Sequence, residues 1–466
     1  MRIRAALRFA PLAFALSACI GPVTGTNSTL PVSDETPTRL AQASLPSLPP
    51  MKVFATPQPV APTRSNTEIA QDFLDLSFQL ESGRSLPVLT RFEGPIKIAL
   101  SGTPAPGMAD DLRRLVKRLQ SEAGIDIDFG TGPNQIMVQA VSSKKIRQYL
   151  PEAACFVVPG ITKLSEYHAA RRRGDTDWAQ LRSRQQIAVF VPSDVSPQES
   201  RDCLHEELAQ ALGPLNDLYR LPDSTFNDDN MNTVLTGFDM LILRATYAPD
   251  LRSGMSREQV AGILPGLLAR LNPAGQKRPT QILTPTTADW IKAVQTALGP
   301  RGSTAARTSA ANRALMIARN SGWQDHRLAF SHFTMARLVQ SFDREAAFAH
   351  LTRALRIYRA RPETAPHAAH VAAQLAAHAI HGGDADMALA LLDGQDKIAV
   401  QSENAALLAS VQMLRAEALE LSGQSQAAGS VRLDSLGWAR YGFGPDWAVR
   451  AKLNEISALR PVSVRG

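Results

Sequence analysis

Apolar residues between positions 95 and 192 come in short runs, and beyond that they recur with a helical period. Residues 95–100 read as a strand, and 109–124 as an amphipathic helix through Leu112, Leu115, Val116 and Leu119. Strand-like runs follow at 125–129, 136–141 and 186–192. Next comes Ser196-Pro197-Gln198-Glu199, a capping box with proline at the first helical position, and Gly213-Pro214 ends that helix. Leu204, Leu208, Ala211 and Leu212 share one side of it, while Glu206, Glu207 and Gln210 share the other. The polar set is either a solvated face or a site.

The same helix carries Glu206-Glu207-Leu208-Ala209-Gln210-Ala211-Leu212-Gly213-Pro214-Leu215-Asn216-Asp217. Residues four apart sit one turn from each other on one face, the spacing at which a helix offers two groups to one metal ion. The segment resembles the matrixin-like metzincin pattern H-E-x-x-H-A-L-G-x-x-H-D, with Glu206, Gln210 and Asn216 where that family has its three histidines. The resemblance implies a water-activating role for Glu207, a helix end at Gly213 and the closing aspartate at Asp217. His205 is out of register, because position 209 is alanine.

A second block, Leu235-Thr236-Gly237-Phe238-Asp239-Met240-Leu241-Ile242-Leu243-Arg244-Ala245-Thr246-Tyr247-Ala248-Pro249, is similar to the metzincin segment L-S-x-x-D-I-x-x-I-x-x-L-Y-G-P. Between the two blocks, Phe226 takes the place of the methionine that metzincins set under the metal. Residues 66 to about 272 also look like an uncharacterised family of bacterial lipoproteins, through Cys155-Phe156-Val157, the E-E-x-x-Q-x-L-G-x-x-N-D core, Phe226-Asn227-Asp228 and Gly254-Met255. That likeness implies a fold more than an activity. A mixed sheet followed by the motif helix is the order of a zincin upper subdomain.

The donor set argues against zinc. Zinc is borderline-soft and favours imidazole and thiolate, whereas a glutamate, two carboxamides and an aspartate offer only oxygen. Calcium needs six to eight oxygens on flexible loops, more than a helix provides. No metal cofactor is therefore expected. Glu206, Gln210 and Asn216 are expected to form a hydrogen-bonded polar network instead.

From about residue 305 the composition turns to Ala, Leu, Arg and His in helices broken by short polar turns. Three helix pairs align on Ala347, Ala388 and Ala428, after turns at Ser341-Phe342-Asp343, Gly382-Gly383-Asp384 and Ser422-Gly423-Gln424. A small residue at a fixed point of the second helix lets it approach the first. The run Ala347-x-x-x-Leu351-x-x-Ala354 resembles the second half of a tetratricopeptide repeat. A tetratricopeptide-like solenoid is expected, with a plain helical bundle as the alternative.

Arg2, Arg4 and Arg8, an apolar core over 9–18 and Leu16-Ser17-Ala18-Cys19 look like a bacterial lipoprotein signal. That resemblance implies cleavage before Cys19, lipid attachment to it and, with Ile20 next, the outer membrane facing the periplasm. No other apolar run reaches 18 residues, so the lipid is the one expected anchor. The net charge is +7 with a pI near 9.5, but the basic residues are dispersed, and an exported chain seldom meets nucleic acid. In an oxidising compartment Cys155 and Cys203 are expected to pair, the alternative being two separate buried thiols.

The expected organisation is a signal segment over 1–18, a lipidated Pro/Ser/Thr-rich tether over 19–65, and an α+β zincin-like domain over 66–272. A linker over 273–304 and an all-α helical-repeat domain over 305–466 complete it. No phosphate-binding glycine loop or G-x-S-x-G elbow occurs, and the histidines of the C-terminal half read as ordinary helical residues. Two functions remain. One is a non-catalytic envelope lipoprotein whose helical repeats bind proteins or peptides; the other is a metallopeptidase with an atypical ligand set and Glu207 as general base.

Overall fold

The computed structural model describes residues 47–54, 60–151 and 153–461. The signal segment and Cys19 lie outside them.

The N-terminal half opens with helix α1 (Asn66–Ser77), capped reciprocally by Ser65 and Glu68. The sheet elements and their crossovers then follow in the order β1 (Ile96–Gly102), α2 (Met108–Ala123), β2 (Ile127–Phe129), β3 (Gln135–Val141), α3 (Ser143–Tyr149), β4 (Phe156–Pro159), α4 (Tyr167–Arg173) and β5 (Gln186–Pro192). The spatial order is β2-β1-β3-β5-β4, parallel throughout except for β4, which runs antiparallel to β5 at the edge. Ile98 pairs with Ile136 and Ile136 with Ile187, so three β-branched side chains lie in one row across the sheet.

Alternation decides which side each residue serves. Ile187, Val189 and Val191 face the main core with α2 and with α5 (Pro197–Leu212), while Ala188 and Phe190 face a smaller core with Phe156, Ile146 and Tyr167. Because both faces are covered, β5 is a continuous apolar run, which is why its sequence reads as a strand without alternation. Helices α6 (Gly237–Thr246) and α7 (Arg257–Leu271) close the main core beside α1.

The C-terminal half is helical: α8 (Ala288–Leu298), α9 (Thr304–Asn320), α10 (His326–Val339), α11 (Arg344–Arg359), α12 (Ala365–His381), α13 (Ala385–Leu392), α14 (Gln395–Gln401), α15 (Ala405–Leu421), α16 (Ser425–Phe443) and α17 (Asp446–Ser457). The chain is thus an α+β part followed by an all-α part. The three expected turns lie between α10 and α11, α12 and α13, and α15 and α16, and Ala347, Ala388 and Ala428 are each fully buried. The two backbones come close at Gly442 of α16, where a Cβ would lie 2.5 Å from the backbone nitrogen of Ala406 in α15.

Two stretches differ from expectation. Residues 273–304, read as a linker, contain α8, which is capped by Thr287 and buries Trp290 in the core of the helical half. One tryptophan with Ala293 and Val294 is apolar surface enough to dock a short helix. Of the expected tether, residues 47–54 lie against α16: Lys52 donates its backbone N–H to Gly437 O (3.0 Å), and Phe54 stacks on Trp438 with ring centroids 4.7 Å apart.

The two halves interlock through residues 213–236, the segment between α5 and α6. Tyr219 and Met231 from that segment belong to the helical half's core. His326 Nε2 donates to Tyr219 O at 2.7 Å, and His367 Nε2 meets Asp229 Oδ2 at 2.9 Å, all buried. Arg201 of α5 donates to Glu403 O (2.6 Å) with its guanidinium over the rings of Phe54 and Tyr441. The Tyr441 hydroxyl in turn donates to Asp111 Oδ1 of α2 (2.9 Å).

Candidate functional site

Helix α5 forms where the sequence places it, with the Ser196 hydroxyl accepting from Glu199 N at 3.1 Å. Its polar side is not a solvated face. Glu207 is fully buried, Gln210 nearly so, and Glu206 partly exposed. The carboxylates of Glu206 and Glu207 and the sulfur of Cys155 lie within 4.8 Å of one another. Cys155 is bonded to Cys203, however, and a thiolate rather than a disulfide sulfur is the metal ligand. That cluster therefore offers a cation two carboxylates.

Asn216 is engaged elsewhere. The Asn216 carboxamide donates to Asp75 O at the end of α1, at 2.9 Å. The backbone carbonyls of Gln210, Ala211 and Gly213 accept from the buried Arg184 guanidinium at 2.5, 2.8 and 2.5 Å. These are the carbonyls that a helix end leaves unpaired, and a cation there also suits the helix dipole. Burial without a carboxylate partner lowers the Arg184 pKa to about 10. Tyr247, from the second metzincin-like block, adds a hydroxyl bond to Leu212 O (2.9 Å), and Asp217 lies just beyond, partly exposed.

The out-of-register His205 has a structural role: its Nδ1 accepts from Leu235 N at 3.1 Å, and burial first, then Arg118 and Arg201, hold its pKa well below the usual histidine value. Phe226 is fully buried, and its backbone accepts from Leu218 N at 2.9 Å. Asp239 caps α6 and bonds the Ser224 and Thr225 hydroxyls at 2.5 and 3.2 Å; burial raises its pKa to about 6.

A cleft of about 100 Å³ opens where α5 meets the helical half. One wall carries Glu199, Asp202 and Glu206 from α5 with Asp228 from the following segment; the opposite wall carries Arg337 of α10 and Gln374 of α12. The disulfide borders it, and Gln198 bridges the halves by donating to Asn404 Oδ1 (3.1 Å) and accepting from Ala406 N (2.9 Å). Burial raises Asp202 to about 7, with Arg201 opposing, and raises Glu199 to about 7, with Asp194 adding to the effect. On the far wall burial lowers Arg337 to about 10, helped by the nearby Arg307. Of the substituted positions, Glu206 lines this cleft, and Glu207, Gln210, Asn216 and Asp217 do not.

Arg184, Arg337, Gln374 and Asn404 were beyond sequence reasoning. Arg337, Gln374 and Asn404 lie far along the chain from the motif, and no local spacing marks Arg184, which stands just before β5.

Residues 66–266 match a family described as a protein of unknown function (DUF2927), a stretch that covers less than half of the chain. A search of curated proteins finds no match.

Proposed function

We propose that this protein is an envelope-anchored lipoprotein whose α/β domain has the zincin layout without its catalysis, joined to helical repeats that bind proteins or peptides. The mixed sheet with α5 directly after β5 supports the zincin layout. The observation that carries the non-catalytic reading is the fate of the three ligand positions. Asn216 is tied to α1, Gln210 is buried at a capped helix end, and Glu206 stands next to an oxidised cysteine. Glu207, the expected general base, is fully buried and does not line the cleft. A general base must reach the proton it removes, directly or through one water.

Part of the helical surface is already occupied by the chain's own residues 213–236, so a partner would meet a composite of both halves. Within 273–304, α8 belongs with the helical domain under this reading. Anchoring rests on the lipoprotein-like signal and on Cys19.

The full-length protein, gently purified, is expected to hold no stoichiometric zinc and to leave casein and peptide libraries uncut. One equivalent of tightly held zinc, with activity lost in Glu207→Ala, would overturn the reading. Palmitate labelling is expected to disappear in Cys19→Ala, and labelling that persists would exclude the anchor.

A further inference from the structure

The cleft between the two halves is lined by groups of both signs, contributed by different elements. Its helical wall presents Arg337 and Gln374, which have no hydrogen bond or ion pair among the described residues. Gln374 is only 4 % exposed, and the Arg337 Nη1 is wholly buried. The Arg337 guanidinium lies over the Phe333 ring, 5.9 Å from the ring centroid. A buried guanidinium N–H without an acceptor is costly. The charged neighbour that adds to the effect of burial on Arg337 is another cation, Arg307.

The α5 wall is of opposite character, with Glu206 and Asp228 beside Glu199 and Asp202. An anionic ligand would suit Arg337 and be repelled by these carboxylates; a cationic one would meet the reverse. A molecule with a positive end and a negative end satisfies both walls. The volume of about 100 Å³ keeps it small.

We propose that this cleft binds a small zwitterion of the amino-acid or dipeptide class, its carboxylate held by Arg337 and Gln374 and its ammonium facing Glu206 and Asp228. A planar guanidinium takes a carboxylate through two parallel bonds, which a lysine at the same place would not offer. The site joins the two halves, so occupancy also braces α5 against α10 and α12. It deepens the binding role proposed above but does not depend on the absence of catalysis.

The test is calorimetric titration of the full-length protein with a mixture of free dipeptides with uncharged side chains, against the same mixture N-acetylated or C-amidated. Free dipeptides are expected to bind, and either blocked mixture to bind at least tenfold more weakly. Arg337→Gln should weaken the free mixture at least tenfold and abolish the difference between acid and amide, with far-UV circular dichroism reporting on the fold. Gln374→Leu, which removes no charge, should weaken binding by a smaller factor and carries the test if Arg337→Gln does not fold. Absence of binding by the free mixture, equal binding of the blocked mixtures, or unchanged affinity in a folded variant would overturn the site. Cleavage of the bound dipeptides would instead overturn the non-catalytic reading and leave the site standing.

Discussion

The carboxamide of Asn216 donates to the backbone carbonyl of Asp75 across 2.9 Å, which ties the segment after α5 to the last turn of α1. That carbonyl is one of those a helix terminus leaves without an internal partner. The position where the metzincin pattern has its third histidine thus serves packing between elements far apart in sequence.

Asn216→Ala is therefore expected to lower stability by about 1 kcal/mol, the cost of losing a part-buried hydrogen bond. Urea unfolding followed by circular dichroism measures it. An unchanged midpoint would show that the bond contributes nothing.

The bridge between Cys155, the residue before β4, and Cys203 of α5 closes a loop with a sequence separation of 48. In the chain-entropy account a loop of that length contributes roughly 4 kcal/mol. A Cys155→Ser, Cys203→Ser double variant should lose stability of that order, and an unreduced digest of the wild type should yield the two peptides joined. Two alkylatable thiols in protein taken directly from cells would refute the bridge.

His326 predicts acid lability of the junction between the halves. Burial lowers its pKa from 6.5 to about 4, against the opposing pull of Asp325, the Tyr219 carbonyl and Asp229, with His367 adding to the depression. The folded-state value lies below the unfolded one, so folding favours the neutral ring. Its contribution is complete above about pH 6.5 and is lost as pH falls through about 4, on the order of 3 kcal/mol in all. His326→Gln can still donate to Tyr219 O without titrating. Its unfolding midpoint should therefore fall less steeply between pH 6.5 and 4 than that of the wild type, and parallel curves would exclude this role.

Gly442→Ala tests the close approach of α16 to α15. The added Cβ would lie 2.5 Å from Ala406 N and 2.6 Å from its Cα, both backbone atoms that cannot swing aside. Forcing α15 and α16 apart should cost about 1–3 kcal/mol. Gly429→Ala, on the same helix where a Cβ meets nothing within 4 Å, is the control and should be neutral or slightly stabilising. Equal effects at the two positions would rule out a packing cause.

Much of the secondary structure was readable from local signals. The runs at 95–100, 136–141 and 186–192 became β1, β3 and β5, the Ser196 cap and Gly213 bounded α5, and the three polar turns fell between helix pairs. These features depend on contacts within a few residues: hydrogen bonding at a cap, the period of side chains along an element, the φ freedom of a turn. The helix α8 was hidden because its few apolar residues gain their meaning only against Trp323 and Phe330, more than thirty residues away.

The chain by itself determined that Glu206, Glu207 and Gln210 share one side of a capped helix, and that Cys203 belongs to that helix. Where that side points was decided only by tertiary packing. The helical half covers it, Arg184 closes its end, and the cleft that remains takes Glu206 from α5 and Arg337 and Gln374 from helices far downstream. Helical periodicity is a local property of one element, whereas burial and charge pairing belong to surfaces that meet after the elements have formed.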